Sequence, residues 1–128
     1  MPPTRICFYS EDDGTVPVLR WLAELRLVQP KAFAKCLALM RRLIAMGYEL
    51  RRPAADYLGE RIYELRVGYR GVNYRILYGF HGRGSAVVLH AFTKEGRIPE
   101  ADLARAIRRM ERFLANPSRH THEEKDLP

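Results

Sequence analysis

The chain has 128 residues, of which 47% are hydrophobic and 29% are charged, so its size and composition are those of one folded domain. Lys and Arg total 22 against 15 Asp and Glu, which gives a net charge of +7. No apolar run approaches the ~18 residues of a membrane span, and the apolar content argues against a disordered chain. The basic excess favours a polyanionic partner, nucleic acid before an acidic protein or an anionic membrane, with solubility alone as the plain alternative.

The two cysteines and the amino terminus bear on the cellular compartment. Cys7 and Cys36 are far apart and form no CxxC pair, which is typical of buried reduced thiols rather than of a disulfide or zinc framework. The first residues lack the apolar core of a signal peptide. The sequence therefore predicts a cytoplasmic protein.

The first half of the chain predicts one strand and two helices. Arg5–Tyr9 is β-prone and is followed by a polar turn cluster. Residues 16–27 carry apolar side chains at helical spacing, and Pro30 opens a second helix that Gly47 ends. The apolar positions of this second helix are Phe33, Leu37, Met40 and Ile44. A helical hairpin is the expected result.

The second half predicts three strands and a final helix. Residues 48–60 are expected to form a loop, followed by strands at 62–67, 73–80 and 86–92 with short antiparallel connections. Pro99 opens a helix with an apolar face and an arginine-rich side. The element order βααβββα predicts an α+β fold, an antiparallel sheet with the helical hairpin on one face and a C-terminal helix. We expect one domain over residues 1–116 and a flexible tail over residues 117–128.

Period-two alternation divides the predicted strands into two faces. The core face, against which the hairpin would pack, is expected to comprise Tyr63, Leu65, Val67, Tyr74, Ile76, Tyr78, Phe80, Val87, Leu89 and Ala91. The opposite, open face would carry Glu64, Arg66, Arg75, His90, Phe92 and Lys94. Three cations, a carboxylate, an imidazole and an aromatic ring on one face suit the handling of a phosphate group.

Each member of this polar set has a simpler explanation. Glu64 and Arg66 could be an exposed charge pair, His90 a structural histidine, and Lys94 a solvated strand end. His120 and His122 form an HxH motif in the predicted tail, where nothing fixes metal ligands, so a solvated terminus is expected. The sequence shows no P-loop and no nucleophile with a base and an orienting residue.

Three short motifs and a proline follow one another in the same order as in a known family. They are Ile62-Tyr63-Glu64-Leu65-Arg66, Tyr74-Arg75-Ile76-Leu77-Tyr78 and Leu89-His90-Ala91-Phe92-Thr93-Lys94, followed by Pro99. Over residues 58–114 the chain resembles the RelE/ParE toxin superfamily, most closely its phage-associated HigB-like group.

The resemblance implies a toxin of a type II toxin–antitoxin system, paired with a helix-turn-helix, HigA-like antitoxin. Such toxins enter the ribosome and cleave translated mRNA, the 2′-hydroxyl attacking its own phosphate without a metal or an organic cofactor. By the same resemblance Arg75 is the phosphate clamp, Arg66 a basic active-site position and Lys94 a cation near the leaving group. The chain departs from many RelE proteins in carrying Glu64 in place of a lysine and in lacking a late tyrosine.

The residues themselves leave the proton transfers open. Arginine is a poor proton acceptor because its pKa exceeds ~12, so Glu64 and His90 are the better candidates for the base. Phe92, Tyr63 or Tyr74 could stack on an unpaired base. We also count Arg70 and Arg97 among the candidate RNA contacts.

Two other functions compete with mRNA cleavage. One is a ParE-like inhibitor of gyrase, and the other is a non-catalytic RNA- or ribosome-binding module. The set Arg66, Arg75 and Lys94 favours cleavage, because a gyrase inhibitor has no need of a phosphate clamp. A neighbouring gene for a small helix-turn-helix antitoxin would favour either toxin over the binding module.

Overall fold

Two antiparallel helices follow the first strand and form the predicted hairpin. The computed structural model describes residues 3–124 and 126–128. Strand β1 is Arg5–Tyr9, helix α1 is Pro17–Val28 and helix α2 is Pro30–Met46. Each helix has a proline in its first turn, where the missing N–H costs nothing. Gly47 ends α2 with φ 54°, a conformation that a side chain would oppose, and donates its N–H to the carbonyl of Leu43.

A six-stranded sheet forms the centre of the molecule. The remaining strands are β2 (Ala55–Gly59), β3 (Ile62–Tyr69), β4 (Val72–His81), β5 (Ser85–Thr93) and β6 (Thr121–His122). The strand order is β2-β3-β4-β5-β1-β6, and every pair is antiparallel except the parallel pair β1–β5. Helix α3 is Glu100–Ala115 and the short α4 is Pro117–His120. The predicted α+β fold is confirmed.

Two segments carry more structure than the sequence analysis predicted. Strand β2 lies within the expected loop 48–60, at the sheet edge, and pairs with β3 alone. An edge strand this short has no clear alternation of apolar and polar residues, so its pattern is weak. The expected flexible tail contains α4 and β6, and β6 pairs with β1 while the ring of His120 stacks on that of Tyr9 at 5.3 Å. Strand β2 is ordered by its hairpin partner β3, whereas the tail is ordered by β1, more than a hundred residues earlier in the chain.

The sheet is covered on both faces. One face packs against α1 and α2 in a core that includes Phe8, Leu22, Met40, Leu65 and Ile76. The other face packs against α3 in a second core of Cys7, Tyr9, Ile62, Leu77, Val87, Leu89, Ala106, Met110 and Phe113. The expectation of an open second face is wrong, because α3 covers much of it.

None of the helices described here is long and apolar enough to cross a membrane.

A bulge in β5 changes which of its side chains face the hairpin. The register passes from Leu77 opposite His90 to Tyr78 opposite Val88, so Leu89 is the extra residue. Val87 and Leu89 were predicted to face the hairpin and instead lie in the α3 core, whereas Ala91 faces the hairpin as predicted. Simple alternation fails here because it assumes an unbroken register.

Candidate functional site

The polar residues of the α3 face lie on neighbouring strands. Arg66 on β3 is opposite Arg75 on β4, which is opposite Phe92 on β5. Glu64 is opposite Leu77, which is opposite His90. The sheet therefore brings Glu64, Arg66, Arg75, His90 and Phe92 onto one face, as predicted.

Glu64 is the centre of this group. Its side chain is 1% exposed, and its two oxygens bind different arginines. Oε1 accepts hydrogen bonds from Arg66 at 3.2 Å (Nε) and 2.7 Å (Nη2), and Oε2 accepts one from Arg75 Nη1 at 2.8 Å. A carboxylate so enclosed is stable only with such partners, because burying a lone charge costs several kcal/mol. Glu64 therefore fixes the positions of both guanidinium groups.

Arg75 is buried and committed to the protein. The residue is 3% exposed. Its Nε donates to the carbonyl oxygen of Lys94 at 3.0 Å, and its Nη2 donates to the carbonyl of Gly96. With the bond to Glu64, three of its five N–H groups are used within the protein. The expectation that Arg75 lies on an open face is wrong, because the loop after β5 folds over it.

Arg66 is the guanidinium of this group that reaches solvent. Its side chain is 47% exposed while two of its nitrogens are held by Glu64. It lines a pocket of about 400 Å³ together with Arg52, Pro53, Ala54, Ala55, Asp56 and Glu64. Within the pocket Arg52 pairs with Asp56 at 3.1 Å, and the hydrogen bond from Arg52 holds the pKa of Asp56 below its usual value. The pocket offers an anchored, exposed cation beside two carboxylates.

Both ring nitrogens of His90 have partners. Nε2 lies 2.6 Å from Asp102 Oδ1, and Arg109 Nη1 lies 3.3 Å from Nδ1. Because arginine can only donate, Nδ1 is the acceptor and Nε2 carries the proton given to Asp102. Burial lowers the pKa of His90, and the neighbouring Arg109 acts in the same direction against the opposing effect of Asp102. His90 is therefore a neutral histidine fixed in one tautomer, as expected for a structural histidine rather than a catalytic one.

The other predicted contacts are spread around this face. Phe92 is half-buried and stacks on His90 with the ring centres 5.4 Å apart. Lys94 and Arg97 are exposed in the loop whose carbonyl groups bind Arg75. Arg70 is exposed in the β3–β4 turn, and its guanidinium lies 5.5 Å from the ring of Tyr69 rather than in the Glu64 group.

The structure adds four residues that the sequence analysis did not select. Asp102 and Arg109 on α3 hold His90, and Arg52 and Asp56 line the Arg66 pocket. Asp102 lies in the first turn of α3, where an acidic residue is common because it stabilises the positive end of the helix dipole, so its sequence position does not indicate a site. Arg52 and Asp56 were placed in a loop, and an i,i+4 charge pair beside a strand gives no signal that could have identified them.

The two histidines of the HxH motif differ in burial, and only His122 is partly open to solvent. His120 is buried, and its Nδ1 lies 2.8 Å from the carbonyl oxygen of Ser10, whereas His122 Nε2 pairs with Glu124 at 2.6 Å. The expectation is wrong for His120, because stacking on Tyr9 anchors it. Residues 3–124 and 126–128 contain no group of three or more His, Cys, Asp or Glu side chains arranged to hold a metal ion.

One comparison with known proteins places the chain in a family. The model of the family described as phage derived protein Gp49-like (DUF891) matches residues 23–111, more than half of the chain. A comparison with curated proteins finds no match. The matched span includes the second half of α1, all of α2, strands β2 to β5 and most of α3, and thus the whole Arg66 pocket. The chain therefore belongs to the Gp49-like family of phage-derived proteins, a RelE/toxin-like family.

Proposed function

We propose that this protein is the toxin of a type II toxin–antitoxin system and cleaves mRNA on the cytoplasmic ribosome. The observation that carries the proposal is Arg66, an exposed guanidinium anchored by a buried carboxylate at the mouth of a pocket. Membership of a toxin-like family and the net charge of +7 support an RNA substrate. Glu64 holds the Arg66 guanidinium before any substrate arrives, as electrostatic stabilisation of a transition state requires.

The proposed reaction is an internal transesterification. The 2′-oxygen forms a bond to the adjacent phosphorus and loses its proton, while the bond from phosphorus to the 5′-oxygen breaks and that oxygen gains a proton. Arg66 binds the non-bridging oxygens, on which negative charge grows. The exposed Lys94 donates the proton that the leaving 5′-oxygen gains.

The structure changes the assignment of the remaining roles. Arg75 is a positioning residue, because it holds Glu64 and the loop after β5 and is 3% exposed. Glu64 is held by two arginines and His90 by Asp102 and Arg109, so neither is free to take the 2′ proton in this arrangement. Asp56 is the remaining carboxylate of the pocket. Arg52 binds its Oδ1, but its side chain is 30% exposed and can be reached by a substrate, so we assign it the proton-accepting role.

A non-catalytic RNA- or ribosome-binding module is the second candidate. The observation that favours it is that Glu64, Arg75 and His90 are all engaged within the protein, which leaves binding groups but no strong base. Hydrogen bonding from Arg52 also keeps the pKa of Asp56 low, which weakens it as a proton acceptor.

Induced expression in bacteria tests the proposal. We expect growth arrest and new 5′ ends within the coding regions of translated mRNAs. Arg66→Ala should abolish these ends, since loss of one positioned donor costs ~10²–10³ in rate. Arg26→Ala removes an exposed arginine near the end of α1, outside the residues that line the Arg66 pocket, and should cleave like the wild type.

Three other outcomes would contradict cleavage at this pocket. Intact mRNA with inhibited gyrase supports the ParE-like alternative. Stable binding to ribosomes without new 5′ ends supports the non-catalytic module. Full cleavage by a folded Arg66→Ala protein removes Arg66 from the reaction.

We further propose that an acidic segment of a helix-turn-helix antitoxin binds along α3. Arg105, Arg108 and Arg112 are exposed there, beside the half-buried Arg109. Glu11 lies 3.3 Å from Arg109 and 3.6 Å from Arg112. It lines a common recess with these four arginines, so the recess has a net positive charge. The association rate should fall as salt rises, because ~0.1 M salt screens charges over ~10 Å. A rate that is independent of salt would exclude an electrostatic interface.

A further inference from the structure

Four aromatic rings form a continuous row beside the edge strand β2. Tyr48 stacks on Phe80 with the ring centres 3.8 Å apart, Phe80 lies 5.1 Å from Tyr63, and Tyr63 lies 4.7 Å from Tyr57. Tyr48 and Tyr57 at the two ends of the row are each 54% exposed. The row thus ends in two large aromatic surfaces that the protein leaves open to solvent.

The two exposed tyrosines are held in place. The hydroxyl of Tyr48 donates to the carbonyl oxygen of Gly82 at 3.3 Å, while its ring rests on Phe80. The hydroxyl of Tyr57 accepts a hydrogen bond from the N–H of Arg61 at 3.1 Å, while its ring rests on Tyr63. Each ring is fixed at its hydroxyl and by one neighbouring ring, so little side-chain freedom is lost when a ligand binds the remaining surface.

Arginines flank this row and connect it with the Arg66 pocket. Tyr48, Tyr57 and Tyr63 line a groove of about 610 Å³ with Arg51 and Arg52. Arg52, Ala55 and Asp56 line both this groove and the Arg66 pocket. The groove and the pocket are therefore adjacent. The exposed Arg51 and Arg52 lie next to the tyrosines in the groove.

We propose that this tyrosine groove binds an unpaired RNA base next to the nucleotide whose phosphate lies at Arg66. The inference rests on the proposed function, since it places a substrate strand in the Arg66 pocket. A planar base suits flat, anchored rings, and the phosphate that follows it suits Arg51 and Arg52. An apolar peptide would cover the rings but offer no anion to the exposed guanidinium groups of Arg51 and Arg52.

Fluorescence anisotropy with labelled single-stranded hexanucleotides tests the inference. The RNA carries 2′-O-methyl groups, so that it cannot be cleaved and binding is measured alone. Tyr57→Ala and Tyr48→Ala should each weaken binding about tenfold, as loss of one stacked base does. Tyr57→Phe keeps the ring and should bind within about twofold of the wild type.

Two controls separate stacking from charge and from general loss of apolar surface. A hexanucleotide of abasic sugars should bind the wild type and Tyr57→Ala equally well, because it has no base to stack. Leu27→Ala removes an 86% exposed apolar side chain on α1 and should leave RNA binding unchanged. Thermal melting confirms that each variant is folded.

The outcomes distinguish this inference from the proposed function. Equal RNA binding by folded Tyr57→Ala, Tyr48→Ala and wild type overturns the tyrosine groove, whether or not the protein cleaves mRNA. Equal losses with normal and abasic RNA overturn base stacking. Tyrosine-dependent binding by a protein that cuts no mRNA supports the groove and contradicts only the cleavage.

Discussion

At the scale of single residues, the burial of Glu64 decides which arginine is available to a substrate. Its two oxygens hold one buried and one exposed guanidinium, at 2.8 Å and 2.7 Å. The sequence shows two arginines in neighbouring motifs and no difference between them. Only the loop that closes over Arg75 makes it structural and leaves Arg66 at the surface.

Replacing Arg75 should therefore destabilise the protein. Arg75→Ala leaves one oxygen of the buried Glu64 unpaired, and we expect a loss of about 3–5 kcal/mol in the free energy of unfolding. Arg66→Ala leaves the other oxygen without its partner, but water can reach that oxygen through the pocket, so we expect a smaller cost of about 1–2 kcal/mol. Urea denaturation of both variants measures the difference. An Arg75→Ala protein as stable as the wild type but unable to cleave mRNA would restore the clamp role to Arg75.

His90 should make stability depend on pH in the acidic range. Burial lowers its pKa in the folded state below the ordinary value of 6.5. As pH falls below that value, the unfolded chain takes up this proton before the folded one, so the free energy of unfolding declines. Above about pH 6.5 the contribution of His90 to the free energy of unfolding is fully present and no longer changes with pH. His90→Gln should remove this part of the slope, and His81→Gln, at an exposed position, should keep it.

Urea denaturation between about pH 5 and pH 8 measures the slope. A wild-type protein that gains stability on acidification through the same range would mean that the Asp102 carboxylate outweighs burial, and that His90 is charged.

At the scale of elements, local pattern was sufficient for the helices, the central strands and the faces of β3 and β4, and insufficient for the faces of β5. The apolar spacing in α2 predicted that helix, and the alternation in β3 and β4 predicted both strands and the side of each that meets the hairpin. The bulge at Leu89 lies in the register between two strands, which no single strand encodes. The same limit applies to the site, where the shared face was predicted but the cover provided by α3 and the 94–97 loop was not.

A substitution at Gly79 tests how closely α3 packs against the sheet. A Cβ at this position would lie 2.9 Å from the carbonyl oxygen of Arg61 and 3.1 Å from the sulfur of Met110. We expect Gly79→Ala to cost about 1–3 kcal/mol, because either backbone or helix must shift. Gly84→Ala is the matched control, since a Cβ there meets nothing within 4 Å. Equal melting temperatures for the two variants would show that α3 packs elsewhere.

At the scale of the whole molecule, the two ends of the chain are joined at one edge of the sheet. Strand β6 pairs with β1, the ring of His120 stacks on Tyr9, and Arg5 binds Glu123 at 2.6 Å. The sequence could not predict this, because the partners lie more than a hundred residues apart and the segment after residue 116 is polar.

Removing the last elements should destabilise the domain. A chain that ends at Asn116 loses α4 and β6 and exposes Tyr9, and we expect a cost of about 2 kcal/mol. A chain that ends at His122 keeps both elements and should melt close to the full chain. Thermal melting of the two truncations makes the comparison. If the shorter chain melts like the longer one, residues 117–122 contribute nothing to stability and the boundary at residue 116 is the end of the domain.

The place of β1 in the sheet has a consequence for how the protein is made. Strand β1 is synthesised well before its partners, which are Ser85 to Val88 on one side and Thr121 and His122 on the other. The hairpin α1–α2 is local and can form as soon as it emerges, but the sheet closes only after β5 has been translated. A chain released before Ser85 has been translated therefore keeps β1 unpaired, and the six-stranded sheet requires translation as far as His122.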